Sequence, residues 1–160
     1  MAAKGGKRHN GRKTVLMGVE FRSRFEAMVG LQLIKRFGID ALLYECIKIG
    51  YRVPASKHKY NPDFVLPNGI VIEVKGYMEL ADRKKYLAIK QSNPDIDLRF
   101  VFQKPNTRIG PRSKTTYAMW AEKNGFKWCG GSIPDEWFEE APRSGRILAS
   151  LGLVAKEKDK

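Results

Sequence analysis

Histidine and cysteine are scarce in this 160-residue chain, with two of each. Cys46 and Cys129 stand far apart, and neither they nor His9 and His58 show the short paired spacings of a zinc site. Neither a disulfide framework nor structural zinc is therefore expected, and both cysteines read as free thiols in a reducing compartment. Long apolar runs are missing as well. No stretch approaches the roughly 18 residues that a spanning helix needs. The basic N-terminus lacks the apolar segment of a signal peptide. Ala2 follows Met1 and the chain ends in Lys-Asp-Lys, so no lipidation signal is read either. These absences argue against a membrane role and predict a soluble, cytoplasmic protein. Acidic side chains are also in short supply: 17 against 30 lysines and arginines, a net charge of +13. Such an excess implies a polyanionic partner, with nucleic acid the first candidate.

What is present is enough for one compact domain. Hydrophobic residues make up 42% of the chain, too many for wholesale disorder. Residues 1–17 read as a flexible basic arm carrying Lys4, Lys7, Arg8, Arg12 and Lys13, residues 18–140 as the folded domain, and residues 141–160 as a tail. In the domain, Phe25, Met28, Val29, Leu33 and Phe37 recur at helical spacing and predict a helix over Ser23–Phe37, with Gly38 as its cap. A strand is predicted over Leu42–Val53, stopped by Pro54, and two more over Asp63–Leu66 and Ile70–Lys75. A helix over Ala81–Gln91 ends at Asn93-Pro94-Asp95, and Leu98–Phe102 reads as a strand. Beyond a basic loop, Lys104–Lys114, come a helix over Thr115–Asn124, an edge strand over Phe126–Cys129, a helical turn over Pro134–Glu140 and a small helix over Arg146–Val154. The main order, α-β-β-β-α-β-α, predicts an α/β domain with a mixed sheet flanked by helices. Trp120, Trp128 and Trp137 read as core or interface anchors.

The most informative stretch runs from Asn61 to Lys75. Pro67-Asn68-Gly69 suits a three-residue hairpin loop: a type I turn followed by a glycine in the left-handed region. That loop pairs Leu66 with Ile70, Val65 with Val71, Phe64 with Ile72 and Asp63 with Glu73. Because side chains alternate along a strand, one face then carries Phe64, Leu66, Ile70, Ile72 and Val74, and the other Asp63, Val65, Val71, Glu73 and Lys75. Facing carboxylates repel unless a cation sits between them. Oxygen ligands select hard cations, Mg²⁺ or Mn²⁺, which polarise phosphate oxygens and generate hydroxide. Lys75 stands where it can orient or deprotonate water, or neutralise charge developing on a phosphate. The plainer reading is a solvated strand face with one ion pair.

Asn61-Pro62-Asp63 followed by Glu73-Val74-Lys75 resembles the PD…(D/E)-x-K motif of restriction-endonuclease-like nucleases. Phe21-Arg22-Ser23-x-x-Glu26, Pro54-Ala55-Ser56-x-His58, Tyr60-x-Pro62-Asp63-Phe64, Leu66-Pro67-Asn68-Gly69-Ile70 and Asp82-Arg83-Lys84-Lys85 make the resemblance more specific, to the phage endonuclease I family of junction-resolving enzymes. It covers about Phe21 to Trp137. It implies a Mg²⁺-dependent enzyme that cuts four-way (Holliday) and other branched DNA, is phage-encoded and acts in the host cell. It also implies an intertwined, domain-swapped homodimer with a restriction-endonuclease-like sheet, in which Ile49–Ala55 is a plausible bridge. The family's catalytic positions match Glu26, Asp63, Glu73 and Lys75, with Glu26 supplied by the partner chain and Asp63, Glu73 and Glu26 holding the metal. From the residues alone, Ser23-Arg24-Phe25-Glu26 reads instead as a helix capping box. The chain departs from the family at its ends, in a longer basic arm and a more apolar tail with Ile147, Leu148, Leu151 and Leu153.

Candidate DNA contacts are Lys7, Arg8, Arg12, Lys13, Arg22, Arg24, His58, Arg83, Lys84, Lys85, Arg108, Arg112 and Lys114. Each is also an ordinary solvated cation by default. Phosphate contacts carry no sequence information, so recognition of DNA shape is expected. A non-catalytic branched-DNA-binding protein with a nuclease-like fold, and a sequence-specific nuclease, remain the alternatives.

Overall fold

The computed structural model describes residues 12–53 and 56–153; Lys4, Lys7 and Arg8 of the predicted arm lie outside the described residues. The first element is a small hairpin of β1 (Thr14–Leu16) and β2 (Val19–Phe21). Leu16 pairs with Val19, leaving a two-residue turn whose members, Met17 and Gly18, both have positive φ, the sign pattern of the hairpin turns that match strand twist. Strand structure thus begins inside the stretch expected as the arm.

Helix α1 (Arg24–Phe37) starts at Ser23, whose hydroxyl accepts from the Glu26 backbone N–H, and ends at Gly38 with φ 86°. Its buried face is Phe25, Ala27, Val29, Gly30, Leu33 and Ile34, whereas Met28, predicted inside, is 65% exposed. Gly30 is required by packing: a Cβ there would lie 2.5 Å from the ring of Phe21, which locks the hairpin onto the helix.

The strand predicted over Leu42–Val53 is corrected to a shorter one. A 3₁₀ turn spans Ile39–Ala41, Tyr44 makes a lone bridge to Phe64, and Glu45 takes a positive φ of 50°, which breaks the extended path. Only β3 (Ile49–Val53) is strand, and it pairs antiparallel with the unforeseen β4 (Ser56–Tyr60) in a separate ribbon.

The main sheet has the order β5 (Phe64–Val65), β6 (Val71–Lys75), β7 (Leu98–Phe102), β8 (Trp128–Gly130). The first pair is antiparallel and the other two are parallel, so the sheet is mixed as predicted. The parallel steps are carried by α2 (Leu80–Ser92) and α3 (Tyr117–Lys123). The β5–β6 register is the predicted one, with Phe64 opposite Ile72 and Val65 opposite Val71. Leu66 N–H donates to Ile70 O at 2.8 Å, and Gly69 has φ 85°.

Both faces of this sheet are buried. Phe64, Leu66, Ile70, Ile72, Val74 and Val101 pack against Phe25, Val29 and Leu33 of α1. Val65, Val71, Phe100 and Phe102 pack against Tyr86 and Ile89 of α2 and Tyr117 and Trp120 of α3. The three tryptophans are anchors, as expected: Trp120 in one core, Trp137 in the other, and Trp128 packed beside the first. No helix among the described residues is long and apolar enough to cross a membrane.

The C-terminal segment is tied down at two points. Helix α4 (Asp135–Glu139) and helix α5 (Gly145–Ser150) flank the tip of the β5–β6 hairpin, where the Asn68 amide donates to Trp137 O at 2.8 Å. Arg143 N–H donates to Asn68 O at 2.9 Å, and Leu151 is buried. The second tie is Arg99, fully buried in β7, which pairs with Asp97 and Glu140 at 2.7 Å each and lies 4.8 Å from the Trp137 ring centre. Arg143 pairs with the same two carboxylates. A buried guanidinium is tolerated because its donors are met by charge.

The hydrogen bonds from Arg99 hold the Glu140 carboxyl down at about 2, outweighing burial, with Arg143 adding to them. Burial pushes Asp97 up, but its bonds to Arg99 and Arg143 outweigh that and hold it below the usual range. Depressed carboxyl values add stability above the unfolded range, roughly 4, that is lost as pH falls through the folded values. The chain is therefore expected to lose stability steeply between about pH 4 and pH 2. Glu140→Gln should cost about 1.5–3 kcal/mol at pH 7 and flatten that acid limb. Urea melts of both proteins across pH check this; parallel acid limbs would refute it.

Candidate active site

Asp63 stands at the entry to β5, and its backbone O accepts from Glu45 N–H at 3.0 Å. Its side chain turns inward, 9% exposed, and Oδ2 accepts from Val74 N–H at 2.8 Å. Glu73 is on β6, one step beyond the Phe64–Ile72 pair, and is 5% exposed. The hairpin register therefore brings both carboxylates to one buried wall, as the alternation predicts. Lys75 follows on the same face, with its ammonium 3.5 Å from Glu73 Oε1 and 3.7 Å from Asp82 Oδ2.

Glu26 comes from the first turn of α1. The Ser23 hydroxyl donates to its Oε1 at 3.0 Å, and the Tyr44 hydroxyl to its Oε2 at 2.6 Å. Ser23 is thus the predicted N-cap, but the Glu26 carboxylate accepts from the Ser23 and Tyr44 hydroxyls and not from the Ser23 backbone N–H that a capping box uses. Glu26, Glu45 and Asp63 each offer a carboxylate oxygen, and these oxygens lie within 4.8 Å of one another. A single chain is enough to bring Glu26 to Asp63. Glu45 also forms an ion pair with Arg22 at 2.8 Å.

Glu73 is held differently from the sequence reading, which grouped it with Asp63 and Glu26 around a cation. Its two oxygens accept from the hydroxyls of Tyr60 and Tyr86. Burial, followed by the charge of Glu73, pushes both phenols well above their usual range, so they remain neutral donors. Sequence reasoning missed the roles of Tyr44, Glu45, Tyr60 and Tyr86. Only the positive φ of Glu45 marks it, and that is a backbone property.

Electrostatically the centre is acidic and starved of solvent. Burial, then the charges of Glu73 and Glu26, push the Asp63 carboxyl well up, against weaker help from Val74 N–H and Lys75. Burial likewise raises Glu45, with Arg22 opposing. For Lys75, burial pulls down, but Glu73, Asp82 and Asp63 together outweigh it and hold the group above its ordinary value. Lys75 is therefore an ammonium at neutral pH. Clustered oxygen donors, no nitrogen or sulfur, and a buried carboxylate short of positive charge fit a hard divalent cation.

Around this centre the surface is cationic. An opening of about 1020 Å³ is lined by Arg12, Lys13, Arg22, Arg24, Glu26 and Lys75, among others. It thus gathers four predicted DNA contacts. Arg83 is partly spent on the fold: its Nη2 donates to Ile109 O at 3.3 Å, and its buried Nε has no partner among the described residues. Lys85 lies over the rings of Tyr60 and Tyr86. Lys84, Arg108, Arg112 and Lys114 are exposed. His58 is on the β3–β4 ribbon, stacked on Tyr51, with Nε2 2.7 Å from Ser56 Oγ; it does not line the opening.

A carboxyl whose folded value is raised adds stability below its unfolded value, and that contribution is lost as pH rises through the folded value. Asp63 therefore destabilises the metal-free chain at neutral pH. Asp63→Asn keeps an oxygen for Val74 N–H and removes the charge. It should melt at or above the wild-type temperature at pH 7 in EDTA, by about 2–4 °C for each kcal/mol of repulsion relieved. Calorimetry checks this; a clearly lower melting temperature would contradict the electrostatic account.

The family model for phage endonuclease I matches residues 7–160. Endonuclease I of Escherichia phage T7 is 45% identical over 120 residues, 75% of this chain and 79% of the relative. Endodeoxyribonuclease 1 of Enterobacteria phage T3 is 43% identical over 117 residues, 73% of this chain and 76% of the relative. The match runs through Asp63, Glu73 and Lys75 and through the α1 segment that carries Glu26, so the geometry and the likeness concern the same part of the molecule. The chain is a DNA-cleaving enzyme and belongs to the phage endonuclease I family.

Proposed function

We propose that this phage endonuclease cuts four-way and other branched DNA, using a divalent cation held by Asp63 and Glu26 with Glu73 at hand. The observation that carries the reading is the buried Asp63 carboxylate, pressed by other carboxylates, one of which, Glu26, lines the cationic opening. A bound Mg²⁺, or Mn²⁺ in its place, supplies Lewis acidity and offsets charge on the phosphate. Asp63 and Glu26 orient that charge. Tyr60 and Tyr86 hold Glu73 in place by their hydroxyls. Lys75, an ammonium here, neutralises charge developing on the scissile phosphate; its raised value favours that role over proton abstraction. Arg12, Lys13, Arg22 and Arg24 position the backbone, and such contacts select shape over sequence.

The working unit in this reading is a homodimer with exchanged segments. The contact that one chain makes between Glu26 and Asp63 would then be made across chains, with the β3–β4 ribbon as the crossing point. Residues 54–55, in the predicted bridge, lie outside the described residues. The phage acts in its host cell, so the cytoplasm is the expected compartment.

The test is cleavage of a labelled four-way junction and of the matching linear duplex. Wild type should cut the junction preferentially and only with a divalent metal. Glu73→Ala and Lys75→Ala should each lower the rate at least about 100-fold while junction binding persists. Equal cutting of both substrates, or full activity in EDTA, would refute it. Light scattering should give twice the 18.2 kDa chain mass.

A further inference from the structure

Beside the acidic centre lies a second opening, of about 390 Å³, framed by Arg22, Lys48, Lys59, Tyr60, Asn61 and Lys85. Its cations converge from four places in the fold. Arg22 lies between β2 and α1, Lys48 just ahead of β3, Lys59 on β4 and Lys85 on α2. Among the described residues no carboxylate frames this opening, whereas the larger one also includes Glu26, Glu79 and Asp82. Among the described residues, no ion pair engages Lys48, Lys59 or Lys85; only Arg22 is paired, to Glu45.

Four like charges gathered in one depression repel, and the repulsion is relieved when an anion enters. The chemistry suits a phosphate: several flexible ammonium groups, one guanidinium with room to turn, and the Asn61 amide as a neutral donor. Position decides which phosphate. Arg22 borders both openings, and Tyr60, whose hydroxyl donates to Glu73, borders this one. A strand that presents one phosphate to Asp63 can lay another here without leaving the surface.

We infer that the depression of Arg22, Lys48, Lys59 and Lys85 is a second phosphate seat, which grips the DNA backbone beside the bond to be cut. The inference rests on the proposal that the scissile phosphate meets Asp63, and it adds Lys48, Lys59 and Asn61 to the contacts read from sequence. The seat fixes how far the strand advances, so it sets position and affinity, with no part in the bond-breaking step.

The test measures junction binding in EDTA, where cleavage cannot interfere. Lys48→Ala/Lys59→Ala is compared with Lys35→Ala/Lys123→Ala, which removes the same charge at exposed sites outside both openings. The first variant should bind about 10-fold more weakly, with a salt dependence reduced by about one to two released ions, and the second should stay near wild type. Single methylphosphonate linkages, which carry no charge, are then placed along the strand. One position next to the cleaved bond should weaken wild type and leave Lys48→Ala/Lys59→Ala unaffected. Equal weakening of both double variants would overturn the seat and leave only a general charge effect. So would inorganic phosphate displacing DNA from wild type alone while no linkage position is sensitive, which would make it a site for free phosphate. Wild type that binds no junction at all would sink the branched-DNA reading itself, a result distinct from either.

Discussion

Carboxylates cannot be crowded together out of water without positive charge to offset them, and this constraint organises the molecule around Asp63. Three carboxylate oxygens, from Glu26, Glu45 and Asp63, lie within 4.8 Å of one another. Each is restrained by what surrounds it: Ser23 and Tyr44 for Glu26, Arg22 for Glu45, and Val74 N–H for Asp63. None of these partners except Arg22 brings a full charge. The remaining deficit is the physical content of the proposed cation, and it would be a standing cost to stability if no cation ever bound.

The fold serves that centre by making the β5–β6 hairpin rigid. One face of the hairpin is sealed by α1 and the other by α2 and α3, so the strands cannot slip without moving core side chains into the wrong layer. The hairpin tip is bolted to the C-terminal segment through Asn68, and Arg99 on the neighbouring strand ties the same segment through Glu140. Residues far from the acids thus help to hold Asp63 and Glu73 in place. Tyr60 and Tyr86 complete the support: one comes from the ribbon and one from α2, and both end on Glu73.

The hairpin was legible because its signals agree: a Pro-Asn-Gly turn, two short apolar strands, and two acids that the three-residue loop keeps on the same face. Asp63, Glu73 and Lys75 follow from that agreement, whereas Glu26 came from family likeness, since by itself it reads as a cap. The rest is hidden for identifiable reasons. Tyr60 and Tyr86 look like ordinary core aromatics, and their hydroxyls matter only once three distant segments meet. Glu45 depends on a backbone kink that its side chain does not advertise. Arg99 interrupts an apolar strand, and its partners Asp97 and Glu140 lie 2 and 41 residues away. The β1–β2 hairpin turns at Met17-Gly18, not at a common turn pair, and β4 is polar because its ribbon faces solvent.

Diffraction from crystals grown with saturating Mn²⁺, recorded at the manganese absorption edge, tests the central claim most directly. The account predicts an anomalous peak in coordination contact with Asp63, with Glu26 as a further ligand, and its loss in Asp63→Asn. Manganese bound only elsewhere, with Asp63 left unliganded, would contradict it.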